Sequence, residues 1–378
     1  MPEIILFEDT LSKNLYPFHL IEGVGQVRHG AWTQQERWSN AAAVFGPKSP
    51  HPELHINARW IANDDAVQAL SGLTSNSVLV HDGVILASTA HPSHAEKLTT
   101  HQMPTEPDLL RHANQLFTDL EVQLLADLPQ LRSQWNLTCL TPVAPTHIFG
   151  SNADVLISPT AQIKAASIDT TKGPVVIGPN AILEPGCHIE GPVLIHEGAT
   201  VKMGACIKGA SVIGPYCKVG GEVSNVHFQG WANKAHEGFL GNSVIGKWCN
   251  LGAGSNASNL KNTYGNVRQW SYASQTLEDT GLQFCGLLMG DHSKCGIGST
   301  FNTGTIIGPA SVIFDSGFPP KHIPPFSWFN AKTGTMRLHD FEKMTGTAEK
   351  VMSRRKVSMS DGAFANLSAL FARRSAES

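Results

Sequence analysis

The segment 234–259, KAHEGFLGNSVIGKWCNLGAGSNASN, contains the residue types best suited to chemistry in this 378-residue chain. An imidazole has a pKa near neutrality and can remove a proton from an amine, which makes His236 the best candidate for a general base. Backbone N–H groups at glycine-rich turns such as 252–254 can stabilise negative charge on a carbonyl oxygen. Together these groups suit the attack of an amine on a carbonyl carbon. Of the 17 histidines, we interpret His227, His292 and His322 as surface or packing residues.

Aliphatic residues recur every six positions through the region that holds this segment. An α-helix would need apolar spacings of three and four, and a half-buried strand would need alternation. Period six instead predicts a left-handed parallel β-helix of hexapeptide repeats, in which each hexapeptide forms one face of a triangular coil. The first run is Ile177, Leu183, Ile189, Ile195, Val201, Ile207, Ile213 and Val219; a second starts at Ile245 and Leu251; a third is Met289, Cys295, Phe301, Ile307 and Ile313.

Two interruptions of the repeat predict segments that loop out of the coil. The steps from Val219 to Ile245 and from Leu251 to Met289 span 26 and 38 residues, and neither number is a multiple of six. Long loops in a compact solenoid are commonly functional or interfacial. We therefore expect one insertion beside His236 and another over 256–285, which either reaches a neighbouring chain or is a surface loop.

The regions on either side of the repeat lack the period of six and instead have strand and helix patterns. The predicted fold class is therefore mixed. We expect an α/β domain with a helical connector over 1–150, the β-helix over 151–330, and a helical tail over 331–378. The segment IILFE predicts a strand, TQQERWSNAAAVF a helix and NSVLVHDGVILAS a strand or hairpin. HAEKLTTHQM and EPDLLRHANQLFTDLEVQLLADLPQL predict helices. Two amphipathic helices in the tail either pack on the coil or its neighbour, or are loosely held.

Composition excludes several classes of partner. The formal net charge is −3 and no basic face is concentrated anywhere, which argues against nucleic-acid binding. The seven cysteines include no CxxC pair, so we expect reduced thiols in the cytoplasm. No segment reaches the roughly 18 apolar residues that span a bilayer, so we expect a soluble protein without a membrane partner.

The spacing from His236 onward resembles the acetyltransferase half of bifunctional N-acetylglucosamine-1-phosphate uridyltransferase/glucosamine-1-phosphate acetyltransferases. That family carries Lys-Ala-Gly-His, Leu-Gly-Asp, Asn-Ile-Gly-Ala-Gly and Cys-Asn-Tyr elements in its β-helix. The matching segments here are Lys234-Ala235-His236, Leu240-Gly241-Asn242, Asn250-Leu251-Gly252-Ala253-Gly254 and Ser258-Asn259-Leu260. The resemblance implies His236 as the base that deprotonates a sugar amine for attack on acetyl-CoA, Lys234, Asn250 and Asn259 as substrate-binding residues, Ala253 and Gly254 as cofactor-binding residues, and no metal ligand at this site.

Several positions depart from that family. Ser224 and Asn225 stand where it has a lysine pair that grips the nucleotide diphosphate, Phe239 replaces an aromatic hydroxyl, and Leu260 replaces the tyrosine. After the first strand the chain reads DTLSKN, without the Gly-x-Gly-Thr-Arg loop in which a sugar nucleotidyltransferase holds a nucleoside triphosphate. These departures argue against UDP-type recognition and against nucleotidyl transfer, and they leave the acyl-transfer site intact.

The whole chain resembles a bacterial group of sugar nucleotidyltransferase-like proteins, on segments such as VRHGAWTQQERW, IGPYCKVGGEVSN and FPPKHIPPFSW. The resemblance implies a degenerate nucleotidyltransferase-like domain fused to an acyltransferase-like β-helix, in a homotrimer of nucleotide-sugar metabolism such as that of UDP-N-acetylglucosamine. The leading hypothesis is acetyl-CoA-dependent N-acetylation of an amino-sugar phosphate or nucleotide sugar. One alternative is a sugar-1-phosphate nucleotidyltransferase that uses Mg²⁺ in the N-terminal domain. The other is a non-catalytic regulatory protein that binds a sugar nucleotide.

Overall fold

The computed structural model describes residues 3–45, 53–140 and 145–377. An N-terminal α/β part precedes a parallel β-helix and two C-terminal helices, which confirms the predicted fold class. The domain boundaries at residues 150 and 330 stay predictions.

A five-stranded mixed sheet forms the core of the N-terminal part. Its strands, in spatial order, are Glu3–Phe7, Glu53–Asn57, Val84–Ser88, Ser77–His81 and Thr99–Gln102. Helices α1 (Gln34–Phe45) and α2 (Asp64–Ser71) flank it, and buried Trp38, Ala66 and Leu70 pack against the sheet. The first strand and the hairpin over 77–88 agree with the sequence-based expectation.

The helix predicted for HAEKLTTHQM is wrong. Residues Pro92–Lys97 form a 3₁₀ helix, and Thr99–Gln102 then form an edge strand that pairs in parallel with Ser77–His81. The β-branched Thr99 and Thr100 favour that edge position over a helix. The long connector helix also begins later than predicted, because the Leu109 and Leu110 backbones bridge to Trp60 and Arg59. It consists of α3 (Gln115–Thr118) and α4 (Leu120–Gln134).

The β-helix has three faces, which we call A, B and C in chain order. Face A consists of Val155–Ile157, Val175–Ile177, Val193–Ile195, Ser211–Ile213, the ends of Glu222–Phe228 and Phe239–Ile245, Leu288–Met289, Ile306–Ile307 and His322–Ile323. Face B consists of Gln162–Ile163, Ile182–Leu183, Thr200–Val201, Lys218–Val219, Asn233–Lys234, Asn250–Leu251, Lys294–Cys295, Val312–Phe314 and Ser327–Asn330. Face C consists of His147–Phe149, Ala166–Asp169, Cys187–Glu190, Cys206–Lys208, the starts of Glu222–Phe228 and Phe239–Ile245, Asn256–Ala257 and Thr300–Phe301. All pairings between these coil strands are parallel, in register over successive turns.

The period-six residues point into the coil and form its core, as predicted. Ile177, Ile195 and Ile213 stack on face A with no exposed surface. The segment 318–330, FPPKHIPPFSWFN, supplies a further turn of the coil, with Ile323 and Phe329 inside.

The insertion predicted between Val219 and Ile245 is wrong. The coil runs through this stretch without a loop: Val223 and Leu240 point inward on face C, Phe228 on face A and Lys234 on face B. The repeat is lost because some steps between inward positions are shorter than six residues and because one inward position is a lysine. His236 therefore lies beside a short turn of the coil itself.

The second interruption does hold an insertion, as predicted. After Asn256–Ala257 the chain leaves the coil, forms an antiparallel hairpin of Arg268–Ser271 and Thr276–Asp279, and returns at Leu288. Buried Val267 and Cys285 pack with Val244 and Leu288 on the outer side of face A.

The N-terminal part and the connector cover the rest of face A. The connector helix α4 packs on this face through Leu120, Leu124 and Leu131. These side chains lie against Leu194 and Val212, which point outward from face A. The remaining short elements are 3₁₀ helices at Ser12–Leu15, Val24–Gln26 and Asn152–Asp154, and strands at Arg28–His29, Trp32–Thr33, Thr138–Cys139 and Thr335–Leu338.

Two C-terminal helices dock at the far end of the coil. They are α5 (Phe341–Ser353) and α6 (Asp361–Ala376), whose first turns are capped by the Asp340 and Ser360 side chains. Met344 and Leu367 pack against Ile21 and Phe326, so the tail is held on the coil and the N-terminal part. Within the described ranges, no helix is both long and apolar enough to cross a membrane.

Candidate acyl-transfer site

His236 lies at the corner where face B turns into face C, which we call the B–C corner. It follows strand Asn233–Lys234 directly and its side chain is exposed. Among the described residues its ring makes no hydrogen bond. Because face A is covered by the N-terminal part, this corner is the edge of the triangular coil farthest from that covering. The imidazole is therefore open to a ligand from solvent or to a neighbouring molecule.

A difference in turn length makes His236 protrude. Val219 pairs with Lys234 and Glu222 pairs with Phe239, so two residues (220–221) in one turn oppose four (235–238) in the next. The shorter turn is Gly-Gly, and Gly221 has a φ of 72°, a value that favours glycine. A Cβ at Gly221 would lie 2.9 Å from both the His236 carbonyl oxygen and the Lys234 Nζ. The glycines thus leave the space beside His236 free of side chains.

Lys234 is inside the coil, at an inward position of face B. Its side chain is 1% exposed, and its Nζ donates to the carbonyl oxygens of Gly220 and His236, both at 2.9 Å. Burial lowers the pKa of Lys234 to about 8, and the nearby Glu237 carboxylate opposes that shift. This geometry argues against the direct substrate contact expected from the sequence. It makes Lys234 a brace for the turn that carries His236.

Ala253 and Gly254 form the same corner one turn further along. The Gly254 N–H donates to the Glu237 carbonyl oxygen at 3.2 Å, so this amide is already engaged. Within the described residues the Ala253 N–H has no partner, and its carbonyl accepts from the Gly298 N–H at 2.8 Å. The structure therefore brings His236, Ala253 and Gly254 together, and of the two amides only that of Ala253 is free to donate.

The two predicted asparagines occupy different places. Asn250 lies on the outer side of face B, where its Oδ1 accepts from Asn233 Nδ2 at 2.9 Å. Asn259 lies beyond the other end of face C, where its Nδ2 donates to Asn242 Oδ1 at 2.7 Å. Asn250 is thus on the strand that leads to the His236 corner, and Asn259 is a full face away from it within one chain.

Asn242 is a residue that the sequence analysis did not assign. With its side-chain amide oriented to satisfy both ends, Asn225 accepts from Asn242 Nδ2 at 2.8 Å and donates to Phe117 O at 3.1 Å. Residues 225, 242 and 259 are each 17 positions apart, and this spacing was the signal that could have identified the ladder. Asn225, which replaces a family lysine, therefore has a structural partner set of its own.

The loop after the first strand folds around the carboxylate of one of its own residues, Asp9. Asp9 Oδ1 accepts from the N–H groups of Leu11 and Ser12 at 3.0 and 3.1 Å and from Arg59 Nε at 2.8 Å. Partial burial would raise the pKa of Asp9, but hydrogen bonds from Arg59 and Asn57 hold it below its usual value. The amides that could face a phosphate here already bind an anion.

Comparison with known proteins relates the chain to sugar nucleotidyltransferases. Residues 4–135 match the family described as sugar nucleotidyl transferase. Over 218 residues the chain is 26% identical to the bifunctional protein GlmU of Synechococcus elongatus, and the alignment covers 52% of this chain and 42% of that protein. GlmU from a second Synechococcus strain matches equally. The match thus spans less than half the length of these relatives.

Solved structures of acyltransferases also resemble the chain. A variant of the Bacillus cereus N-acyltransferase AntD, bound to dTDP-4-amino-4,6-dideoxyglucose and coenzyme A, is 12% identical, with a TM-score of 0.25 over 55% of this chain and 91% of that one. The polySia-specific acetyltransferase NeuO is 11% identical, with a TM-score of 0.29 over 57% and 92%. At these scores the likeness says nothing about the site.

Proposed function

We propose that the chain is a cytoplasmic acyltransferase that moves the acetyl group of acetyl-CoA to the amine of an amino-sugar phosphate or nucleotide sugar. In this proposal His236 removes the amine proton, and the Ala253 N–H donates to the oxyanion that forms when the amine attacks the thioester carbonyl. When the oxyanion collapses, the C–S bond breaks, and the proton on His236 passes to the departing coenzyme A thiolate. The observation that carries the proposal is the protruding, uncovered His236 braced by Lys234 beside a Gly-Gly turn. The similarity to bifunctional GlmU supports the reaction class.

The roles of the remaining predicted residues follow from their positions. Asn250 is placed to hydrogen-bond a sugar on the outer side of face B, because its amide Nδ2 is not used by Asn233. Gly254 lets the donor arm approach the coil closely, since it has no side chain and a φ of 69°. Seven free cysteines support a reducing compartment.

We propose that the active assembly is a homotrimer in which donor and acceptor meet between adjacent coils. Within one chain Asn259 lies a full face from His236, so a role at the same site requires the Asn259 of a neighbouring copy. Two large apolar side chains at the B–C corner, Met203 and Ile297, are 70% and 81% exposed. A neighbouring copy would remove this apolar surface from water.

The test is acetyl transfer to a panel of amino-sugar phosphates and nucleotide amino sugars, with wild type, His236→Ala and His188→Ala compared. His188 is a matched control because it is an exposed histidine on the outer side of face C. We expect His236→Ala to lose a factor of about 10² to 10⁴ in rate, the usual contribution of a positioned base, while His188→Ala keeps full rate.

Two results would contradict the proposal. If His236→Ala transfers acetyl as fast as wild type, His236 is not the base. If wild type binds sugar nucleotides and acetylates none of the panel, the regulatory alternative replaces the enzyme. The nucleotidyltransferase alternative is disfavoured by the Asp9 carboxylate, which fills the anion position after the first strand.

A further inference from the structure

The end of helix α5 reaches face B of the coil. The helix starts where face A turns into face B, which we call the A–B corner, and Phe341 packs there against Phe326 with ring centroids 6.1 Å apart. Five turns of the coil, about 24 Å at the spacing of paired strands, separate the turn of Phe326 from that of Lys218. The 13 residues of α5 span about 20 Å, so the long side chains of Arg354 and Arg355 at its end come close to Lys218.

These three cations have no carboxylate partner. Arg354 is exposed, Arg355 and Lys218 are half-buried, and within the described residues none of the three forms an ion pair. The nearby Glu184 carboxylate pairs with Lys202. Burial lowers the pKa of Lys218, and the guanidinium groups of Arg355 and Arg354 lower it further. Unpaired positive charge gathered from two elements favours an anionic ligand.

Nearly a whole face of the coil separates this cluster from the candidate base. Arg355 lies close to Cys217 as well as to Lys218, at the A–B end of face B. In the next turn Trp231 stands at the A–B corner and His236 at the B–C corner, so the two ends of the face are about 15 Å apart along the extended chain. An anion held by the arginines is therefore about that far from the imidazole.

The length of this gap selects the ligand. In an amino-sugar phosphate or a nucleotide amino sugar, the amine and the nearer phosphorus are about seven bonds apart at most, or about 8 Å when extended. In acetyl-CoA about thirteen bonds join the sulphur to the nearer phosphorus, which gives about 15 Å at the advance per bond of an extended chain. The donor spans the face, whereas the acceptor is too short.

The surface between the two places leaves room for the donor arm. The residues that follow the inward positions of face B in four successive turns are Gly220, Ala235, Gly252 and Gly296. Beside this path Asn233 uses its Nδ2 in the bond to Asn250, and its Oδ1 is left to accept from an amide N–H of the arm. The arm could thus lie flat on the coil next to the acceptor.

We propose that Lys218, Arg354 and Arg355 bind the phosphates at the nucleotide end of the acyl donor, so that helix α5 is part of the donor site. The donor arm crosses face B and brings the thioester to Ala253 and His236. This inference rests on the proposed function, and it adds to that site three positioning residues, two of them at the end of a C-terminal helix.

The test measures the binding of coenzyme A and of pantetheine, which lacks every phosphate, to the full-length chain by calorimetry. We expect coenzyme A to bind at least about a hundredfold more tightly, the effect of two or more charge-assisted hydrogen bonds. The double substitution Arg354→Gln and Arg355→Gln should remove most of that difference and leave pantetheine binding unchanged. Lys218→Gln tests the same site from the coil and should weaken coenzyme A binding by about tenfold.

Lys343→Gln is the matched control, because it removes an exposed cation from the first turn of the same helix, and it should change nothing. Binding is measured without turnover, so the two proposals fail separately. If coenzyme A binding depends on these cations but no acceptor is acetylated, the donor site is supported and the proposed function is contradicted.

The donor site is overturned if coenzyme A shows no saturable binding or binds no more tightly than pantetheine. It is also overturned if the double arginine variant and Lys343→Gln bind coenzyme A equally well. A double arginine variant that raises the KM of the acceptor and leaves the KM of acetyl-CoA unchanged would overturn it too, because the cations would then hold the acceptor.

Discussion

The contact between the N-terminal part and the coil should weaken as the pH falls, because it requires a neutral His227. His227 Nε2 lies 3.2 Å from the Gly30 carbonyl oxygen, so this nitrogen carries the hydrogen. Its Nδ1 lies 3.0 Å from Gln229 Nε2. The Gln229 amide cannot turn over, because its Oε1 accepts from the Arg28 N–H and its Nε2 donates to the Arg28 carbonyl. Nδ1 must therefore accept, and a proton there has no partner.

The size of the effect follows from the shift of one pKa. Complete burial lowers the pKa of His227 from 6.5 to about 3, and the Arg28 guanidinium adds to this. In the unfolded chain the group takes up its proton near pH 6.5, whereas the folded chain excludes it until about pH 3. The stability contributed by neutral His227 is thus present above pH 6.5 and is lost as the pH falls towards 3. Between pH 6 and pH 5 the loss is about 1.2 kcal/mol.

The assay is urea unfolding from pH 7 to pH 5, followed by tryptophan fluorescence, to which Trp32 in the interface between the two parts contributes. His227→Gln keeps one donor and one acceptor but cannot titrate. We expect its free energy of unfolding to fall by about 1.2 kcal/mol less than that of wild type between pH 6 and pH 5. His188→Gln, at an exposed histidine, should behave as wild type. Equal pH dependence of wild type and His227→Gln would refute the assignment of the tautomer and the burial.

Three further outcomes test the coil, its corner and the N-terminal loop. Ile195→Asp puts a carboxylate in the fully buried core, so it should cost several kcal/mol of stability and prevent folding, as judged by circular dichroism. The control Thr200→Asp, on the outer side of face B, should fold. A folded Ile195→Asp chain would contradict the inward position of Ile195. Lys234→Met should keep the coil but release the His236 carbonyl, so we expect acetyl transfer to fall about tenfold with an unchanged far-UV spectrum, and an unchanged rate would exclude the brace. The full-length chain should release no pyrophosphate from nucleoside triphosphates and sugar 1-phosphates, because Asp9 fills the anion position; sustained release would restore the nucleotidyltransferase alternative.

The coil could be predicted from sequence because each turn obeys a local rule. Nearly every face has an aliphatic side chain that points inward at the same place, so an aliphatic residue every six positions can be recognised without any knowledge of tertiary structure. The rule fails between Val219 and Ile245, where the inward residues Val223 and Phe228 are four and nine positions after Val219. A search for apolar residues at a fixed period of six cannot detect shortened corners. The sequence therefore predicts a loop where the coil is continuous.

Contacts between segments that are distant along the chain could not be predicted from the sequence. Residues Thr99–Gln102 form an edge strand because they pair with the strand Ser77–His81. The sequence of this segment by itself is also compatible with a helix. The ring of Trp270 is fixed by His322, which lies 52 positions later in the chain. The intervals after His236 correctly grouped it with Ala253 and Gly254, because residues 17 apart stack on successive turns here. They could not show that Asn259 belongs to another corner.

Lys234 is the strongest internal argument that the His236 turn is more than a structural corner. The other inward residues of face B, among them Val219, Leu251 and Ile313, are apolar. Burying an ammonium group costs free energy that an aliphatic side chain would not, and the two carbonyl bonds only offset this cost. A charged residue at one position of an otherwise apolar core is the kind of departure that is expected at functional or strained sites. Since the lysine holds the carbonyl of His236, and the neighbouring turn is reduced to two glycines, this exception to the packing pattern supports the proposed role of His236.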